Sequence, residues 1–136
     1  MTIFLDANII IYQVEGMEPF RQQVRNSLAD IVRHHPDAGF AVSRLSLLEC
    51  LVKPVREQND AVISRYRGFF TSRDIQIIEV TDQVIETALG LRARHGLRTP
   101  DAIQAASALI LASPATFLTG DRNFQKVSTL QVQLIS

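Results

Sequence analysis

Short apolar segments of strand length alternate along this chain with longer segments of helical period, and that alternation admits few architectures. Strands are predicted near 2–5, 39–42, 75–80, 115–119 and 131–135. Helices are predicted near 7–14, 19–35, 44–58, 60–72, 82–95 and 100–112, with a turn of helix after Asp121. Pro36-Asp37-Ala38-Gly39, Gly96 and Ser113-Pro114 fall where helices should stop. Strands separated by helices pair in parallel, so the expected fold class is α/β with a largely parallel central sheet flanked by helices. No repeat, low-complexity tract or linker divides the chain, and a single domain spanning 1–136 is expected.

Composition narrows the setting. With 46% hydrophobic and 21% charged residues, neither a disordered nor a fibrous class is indicated. Fourteen basic residues balance fourteen acidic ones, so a nucleic-acid partner would have to be met by a local patch. The single Cys50 cannot form an internal disulfide; it is expected to be a small buried thiol, and a cytoplasmic location is expected with it. No basic segment precedes the first apolar run, which Asp6 interrupts, so no signal peptide is expected. The most apolar later stretch, Ala105 to Leu118, contains Ser107, Ser113 and Pro114 and is shorter than the roughly 20 residues of a membrane span. His34, His35 and His95 sit at predicted helix ends without metal-ligand spacing.

Four carboxylates break this apolar pattern. Asp6 ends the run Ile3-Phe4-Leu5, Glu49 lies inside Leu45 to Val52, Asp101 opens the Ala-rich stretch 102–112, and Asp121 follows Phe117-Leu118-Thr119-Gly120. Three of them also have local explanations: Asp6 as a cap for a helix beginning at Ala7, Asp101 as a first-turn acid, Asp121 as a turn residue. Glu49 has no capping role. Leu45, Leu48, Val52 and Val55 recur at helical spacing, and Glu49 falls on that stripe, so it is expected to point to the core side of a helix capped by Ser43. Its alternative is a buried ion pair with an Arg. Thr99 with Pro100 is expected to start the helix that carries Asp101. Buried acids without counter-charge would neutralise, whereas a bound hard cation, Mg²⁺ or Mn²⁺, lets them stay ionised. Asn8, Thr119 and Asn123 are candidate supporting groups, each with a local turn as its alternative. Arg44, Arg92, Arg94, Arg98 and Arg122 neighbour the acids in sequence and could meet phosphates.

Phe4-Leu5-Asp6-Ala7-Asn8-Ile9-Ile10, Ser46-Leu47-Leu48-Glu49, Arg98-Thr99-Pro100-Asp101-Ala102-Ile103-Gln104-Ala105-Ala106 and Leu118-Thr119-Gly120-Asp121-Arg122-Asn123-Phe124 resemble, in order and spacing, the four motif regions of PIN-domain nucleases. They most resemble the VapC toxins of toxin-antitoxin pairs. The resemblance covers essentially the whole chain. It implies a parallel sheet of strand order 3-2-1-4-5, an acidic pocket holding Mg²⁺ or Mn²⁺, and metal-dependent cleavage of RNA. The family's acidic quartet falls on Asp6, Glu49, Asp101 and Asp121, and its supporting hydroxyl on Thr119. Some relatives carry a further acid where this chain has Asn123.

The expected activity is therefore a divalent-metal-dependent endoribonuclease in which Asp6 and Asp101 are first choices as metal ligands and Glu49 and Asp121 complete the site. Two other activities fit parts of the pattern: an Asp-nucleophile phosphohydrolase acting through Asp6, and a non-catalytic PIN-like binding module. A homodimer and an antitoxin are the expected protein partners. Surplus apolar surface for them is expected near Ile9, Ile10, Ile11, Tyr12 and Phe20.

Overall fold

A computed structural model describes all of residues 1–136. In chain order its elements are β1 (Thr2–Leu5), α1 (Ala7–Glu15), α2 (Phe20–His34), β2 (Gly39–Ser43), α3 (Arg44–Arg56), α4 (Asp60–Phe70), β3 (Ile75–Ile78), α5 (Asp82–His95), α6 (Thr99–Leu109), β4 (Ala115–Thr119), a 3-10 helix (Arg122–Lys126) and β5 (Val132–Leu134). All strand pairings are parallel, in the order β3-β2-β1-β4-β5. Both faces of the sheet are covered. Phe4, Ala41 and Phe117 point to a core shared with α5 and α6, while Ile3, Leu5, Val42 and Leu118 point to a core shared with α1 to α4. Burial on both faces explains why the central strands β1 and β4 read as apolar runs, whereas the edge strands β3 and β5 are interrupted by the exposed Gln76 and Gln133.

Helix limits follow local chemistry. Gly96 ends α5 in the left-handed conformation (φ 67°), and its N–H bonds the Arg92 carbonyl. Ser43 caps α3 by accepting from the Leu45 N–H at 3.1 Å. The helix with Asp101 departs from expectation: Arg98 is its N-cap residue, no side chain caps it, and Thr99 already lies inside the helix. The Thr99 hydroxyl is engaged instead by Arg92, at 2.9 Å.

Helix α3 also turns a different face inward from the one its sequence suggested. Leu48, Val52 and Val55 are exposed at 61%, 51% and 53%. The buried side chains are Ser46, Cys50, Leu51 and Pro54. Leu45 and Glu49 are half-buried at the boundary between the two faces. Apolar residues cover more than half of this helix, so the 3.6-residue period fits two overlapping stripes, and packing on α1 and α4 selects the one containing Cys50 and Leu51. Of the apolar surface expected near α1 and α2, Phe20 remains exposed, and more lies on α3. Ile9 and Ile10 are core residues at 1% exposure each, and Tyr12 stacks on Phe20 with ring centroids 4.6 Å apart. No helix is long and apolar enough to cross a membrane.

The reversed face makes a direct prediction. Leu51→Ala should cost roughly 2–5 kcal/mol of stability, whereas Leu48→Ala in the isolated protein should cost about 0.5 kcal/mol or less. Chemical denaturation of the two variants measures both, and a larger loss at Leu48 would restore the stripe read from the sequence.

Candidate active site

The carboxyl ends of the central strands place Asp6, Thr119 and Asp121 side by side, while Glu49 and Asp101 approach from helices α3 and α6. Register pairs Leu5 with Leu118, so the next residues, Asp6 and Thr119, leave the sheet side by side. Asp6 is buried and serves two ends at once. One carboxylate oxygen accepts from the Ala7 N–H at 2.8 Å, capping α1, and the other accepts from the Thr119 hydroxyl at 2.7 Å. The Thr119 oxygen in turn accepts from the Asp121 N–H at 3.0 Å. Asp121 then caps the 3-10 helix through the Asn123 N–H, at 2.9 Å. The two caps are thus joined through Thr119 into one hydrogen-bonded arrangement.

Burial pushes the Asp6 carboxyl up to about 6. The hydrogen bonds from Thr119 and Ala7 oppose that shift, and the negative charges of Asp101 and Glu49 add to it. The charge effect places Asp101 and Glu49 within electrostatic reach of Asp6. Asp101 lies in the first turn of α6 and makes an ion pair with the largely exposed Arg98 at 3.3 Å. A small cleft of about 100 Å³ opens beside it, lined by Arg98, Asp101, Asn123 and Lys126. Glu49 comes in from α3, where its partner is a neutral amide: Gln104 Nε2 donates to Glu49 Oε1 at 2.9 Å. The buried Arg considered for Glu49 is absent. No three His, Cys, Asp or Glu side chains stand close enough together to hold a metal ion between them, so the four acids do not form a ready-made ligand cluster.

The supporting groups divide. Thr119 is buried and bonded to Asp6. Asn8 and Asn123 are exposed, and neither side chain makes a hydrogen bond within the protein. Among the arginines, Arg44 is held by Glu79 through two bonds of 2.9 and 2.7 Å. Arg92 bonds the Leu97 carbonyl and the Thr99 hydroxyl, each at 2.9 Å, and so clamps the loop that leads into Asp101. Burial pushes the Cys50 thiol up, which keeps it a neutral core group.

Sequence reasoning passed over Gln104 and Ser46. Gln104, 1% exposed, donates to Ser46 Oγ at 2.8 Å as well as to Glu49. The signal available was a long polar side chain in the Ala-rich stretch 102–112, one helical turn after Asp101.

The PIN domain family profile matches residues 3–130. Among solved structures, a chain of the VapBC2 complex from Rickettsia felis bound to a promoter DNA fragment is similar with a TM-score of 0.77 at 18% identity, over 100% of both chains. A chain of VapBC-1 from nontypeable Haemophilus influenzae gives 0.72 at 21% identity over 98% of each. One of a toxin-antitoxin complex from Klebsiella pneumoniae gives 0.68 at 19% over 94% of each. At these identities the likeness is one of fold. No curated protein sequence matches significantly.

The Asp6 environment predicts a pH signature. A carboxyl near 6 in the folded chain and near 3.8 in the unfolded one means that the folded state keeps a proton the unfolded state has released. Stability contributed by this group therefore falls as pH rises from about 4 to about 6. In EDTA, Asp6→Asn should be more stable than the parent at pH 7, by on the order of 1 to 3 kcal/mol, with the difference vanishing near pH 4. Thermal melts across this range measure it, and an Asp6→Asn protein that is less stable at pH 7 would contradict the assignment.

Proposed function

The chain belongs to the PIN-domain family, and from that premise we propose that it is a divalent-metal-dependent endoribonuclease, the toxin of a toxin-antitoxin pair. The observation that carries the reading is the buried Asp6 carboxylate, hydrogen-bonded on both oxygens and facing the added negative charge of Asp101 and Glu49. A site of this kind is costly without a cation and suited to one. Its donors are all carboxylate oxygens, which fits Mg²⁺ or Mn²⁺. Openness fits as well, because Mg²⁺ commonly takes one or two carboxylates and keeps the rest of its shell as water and substrate phosphate.

In this reading Asp6 and Asp101 would hold the cation, and Glu49 and Asp121 would complete its surroundings. The cation supplies Lewis-acid polarisation of the phosphodiester and a lowered pKa for water. The chain's own groups set the geometry. Thr119 and the Ala7 N–H fix the Asp6 rotamer, the Arg92 clamp fixes the loop before Asp101, and Arg98 and Lys126 line the cleft where an RNA phosphate would lie. Water attacks phosphorus in line and the bond to the 3′-oxygen breaks, leaving 5′-phosphate and 3′-hydroxyl ends. A covalent role for Asp6 is disfavoured, since its oxygens are both engaged and its side chain is only slightly accessible.

The protein partners follow from exposed apolar surface. Leu48, Val52 and Val55 border a groove of about 390 Å³ between α3 and α4, with Arg56 and Arg67 on its rim. Ile85 and Leu89 expose a second patch on α5. Antitoxin binding and homodimer formation are assigned to these helices, supported by the similarity to chains of toxin-antitoxin complexes.

Two measurements test the activity. RNA cleavage should require Mn²⁺ or Mg²⁺ and stop in EDTA. Glu49→Gln should lower cleavage by at least about 100-fold, the rate change of roughly 2.7 kcal/mol in barrier, while the melting temperature in EDTA stays within a few degrees of the parent. Full cleavage by Glu49→Gln would remove Glu49 from the site, and no cleavage of varied RNAs by the parent would favour a binding module.

A further inference from the structure

Helices α3 and α6 meet through one polar contact that connects the candidate site to the core. On α6, Asp101 and Gln104 stand one turn apart on a common face; on α3, Ser46 and Glu49 do the same. Gln104 bridges the two helices, its amide nitrogen donating to Ser46 Oγ at 2.8 Å and to Glu49 Oε1 at 2.9 Å. Both N–H groups are thereby used. Its carbonyl oxygen is buried without any partner. Rotating the amide by half a turn would satisfy nothing better, because it would set that oxygen against the Glu49 carboxylate.

We propose that Gln104 is a positioning residue that holds the Glu49 carboxylate toward the metal site; the proposal rests on the reading of the acids given above. A buried amide with an orphaned carbonyl costs free energy that an apolar side chain in the same Ala-rich helix would avoid. Stability alone therefore does not account for it. An Arg or Lys at this place would also orient Glu49, but its charge would satisfy the carboxylate and compete with a bound cation. A neutral donor orients one oxygen and leaves the full negative charge available. Glu49 Oε2 makes no hydrogen bond within the protein and is the oxygen left for the cation or its water. Ser46, itself fully buried, anchors the other amide proton, so the Gln104 side chain cannot swing to follow Glu49. Such outer-shell donors govern metal affinity through the ligand they hold.

Two measurements test this, one of them without metal or substrate. In metal-free protein the two Gln104 side-chain amide protons should give separate NMR resonances, and Glu49→Ala should move one of them; unchanged resonances would show that the bond is not made and overturn the proposal. By calorimetry, Gln104→Met should weaken Mn²⁺ binding about 10- to 100-fold. In a Glu49→Ala background the same change should have no further effect, and an equal loss in both backgrounds would overturn the proposal. If the parent protein binds no Mn²⁺, the metal reading fails and the proposal with it, whereas a moved amide resonance would still place Gln104 on Glu49 as a structural bond. Melts in EDTA accompany each variant, and Gln104→Asn replaces Gln104→Met if the latter fails to fold.

Discussion

A hydrogen bond of 2.7 Å from Thr119 to Asp6, buried where two adjacent parallel strands end, locates the charge around which this protein is arranged. Its position follows from register, since the pairing of Leu5 with Leu118 leaves Asp6 and Thr119 as neighbours with no freedom to separate. Strand β1 lies at the centre of the sheet, and helix α1 begins at its carboxyl end. In open parallel sheets this edge is the usual place for a ligand. Here the two hydrogen bonds on Asp6 only partly offset its desolvation, and the shortfall is the physical ground for a bound cation.

The other acids reach that edge by different routes, and each route fixes a different property. Asp101 arrives on the first turn of α6, after a loop held by Arg92, and keeps an exposed ion pair with Arg98 that a phosphate or cation can displace at little cost. Asp121 is held by its own turn. Glu49 arrives from the opposite layer on α3, at the boundary between a buried and an exposed face. The same helix thus carries a proposed site residue on one side and exposed apolar residues on the next, which sets Glu49 close to the surface proposed for a partner.

Much of this was legible in the sequence, because strands buried on both faces read as continuous apolar runs and an acid that ends such a run is conspicuous. Asp6 and Asp121 were singled out that way and Asp101 as the acid that opens an Ala-rich stretch, and the strand and helix positions followed from the same punctuation. The face of α3 was not legible. Leu45, Leu47, Leu48, Leu51, Val52 and Val55, continued by Cys50 and Pro54, cover more than half of its circumference, so periodicity admits two overlapping answers and only contact with Val62 and Tyr66 of α4 decides. Thr99 failed as a cap for a related reason: Arg92, a residue seven positions earlier, claims its hydroxyl. Gln104 was silent because its meaning lies in Ser46 and Glu49, which are 58 and 55 positions away in the chain.

On the proposed function, the Asp6 edge holds a divalent cation. Anomalous diffraction from crystals grown with Mn²⁺ tests it most directly. The account predicts a manganese peak about 2.1–2.3 Å from carboxylate oxygens of Asp6 and Asp101, with Glu49 and Asp121 bound to it directly or through water. A well-ordered site with no manganese peak at saturating Mn²⁺, or a peak held only by other residues, would contradict it.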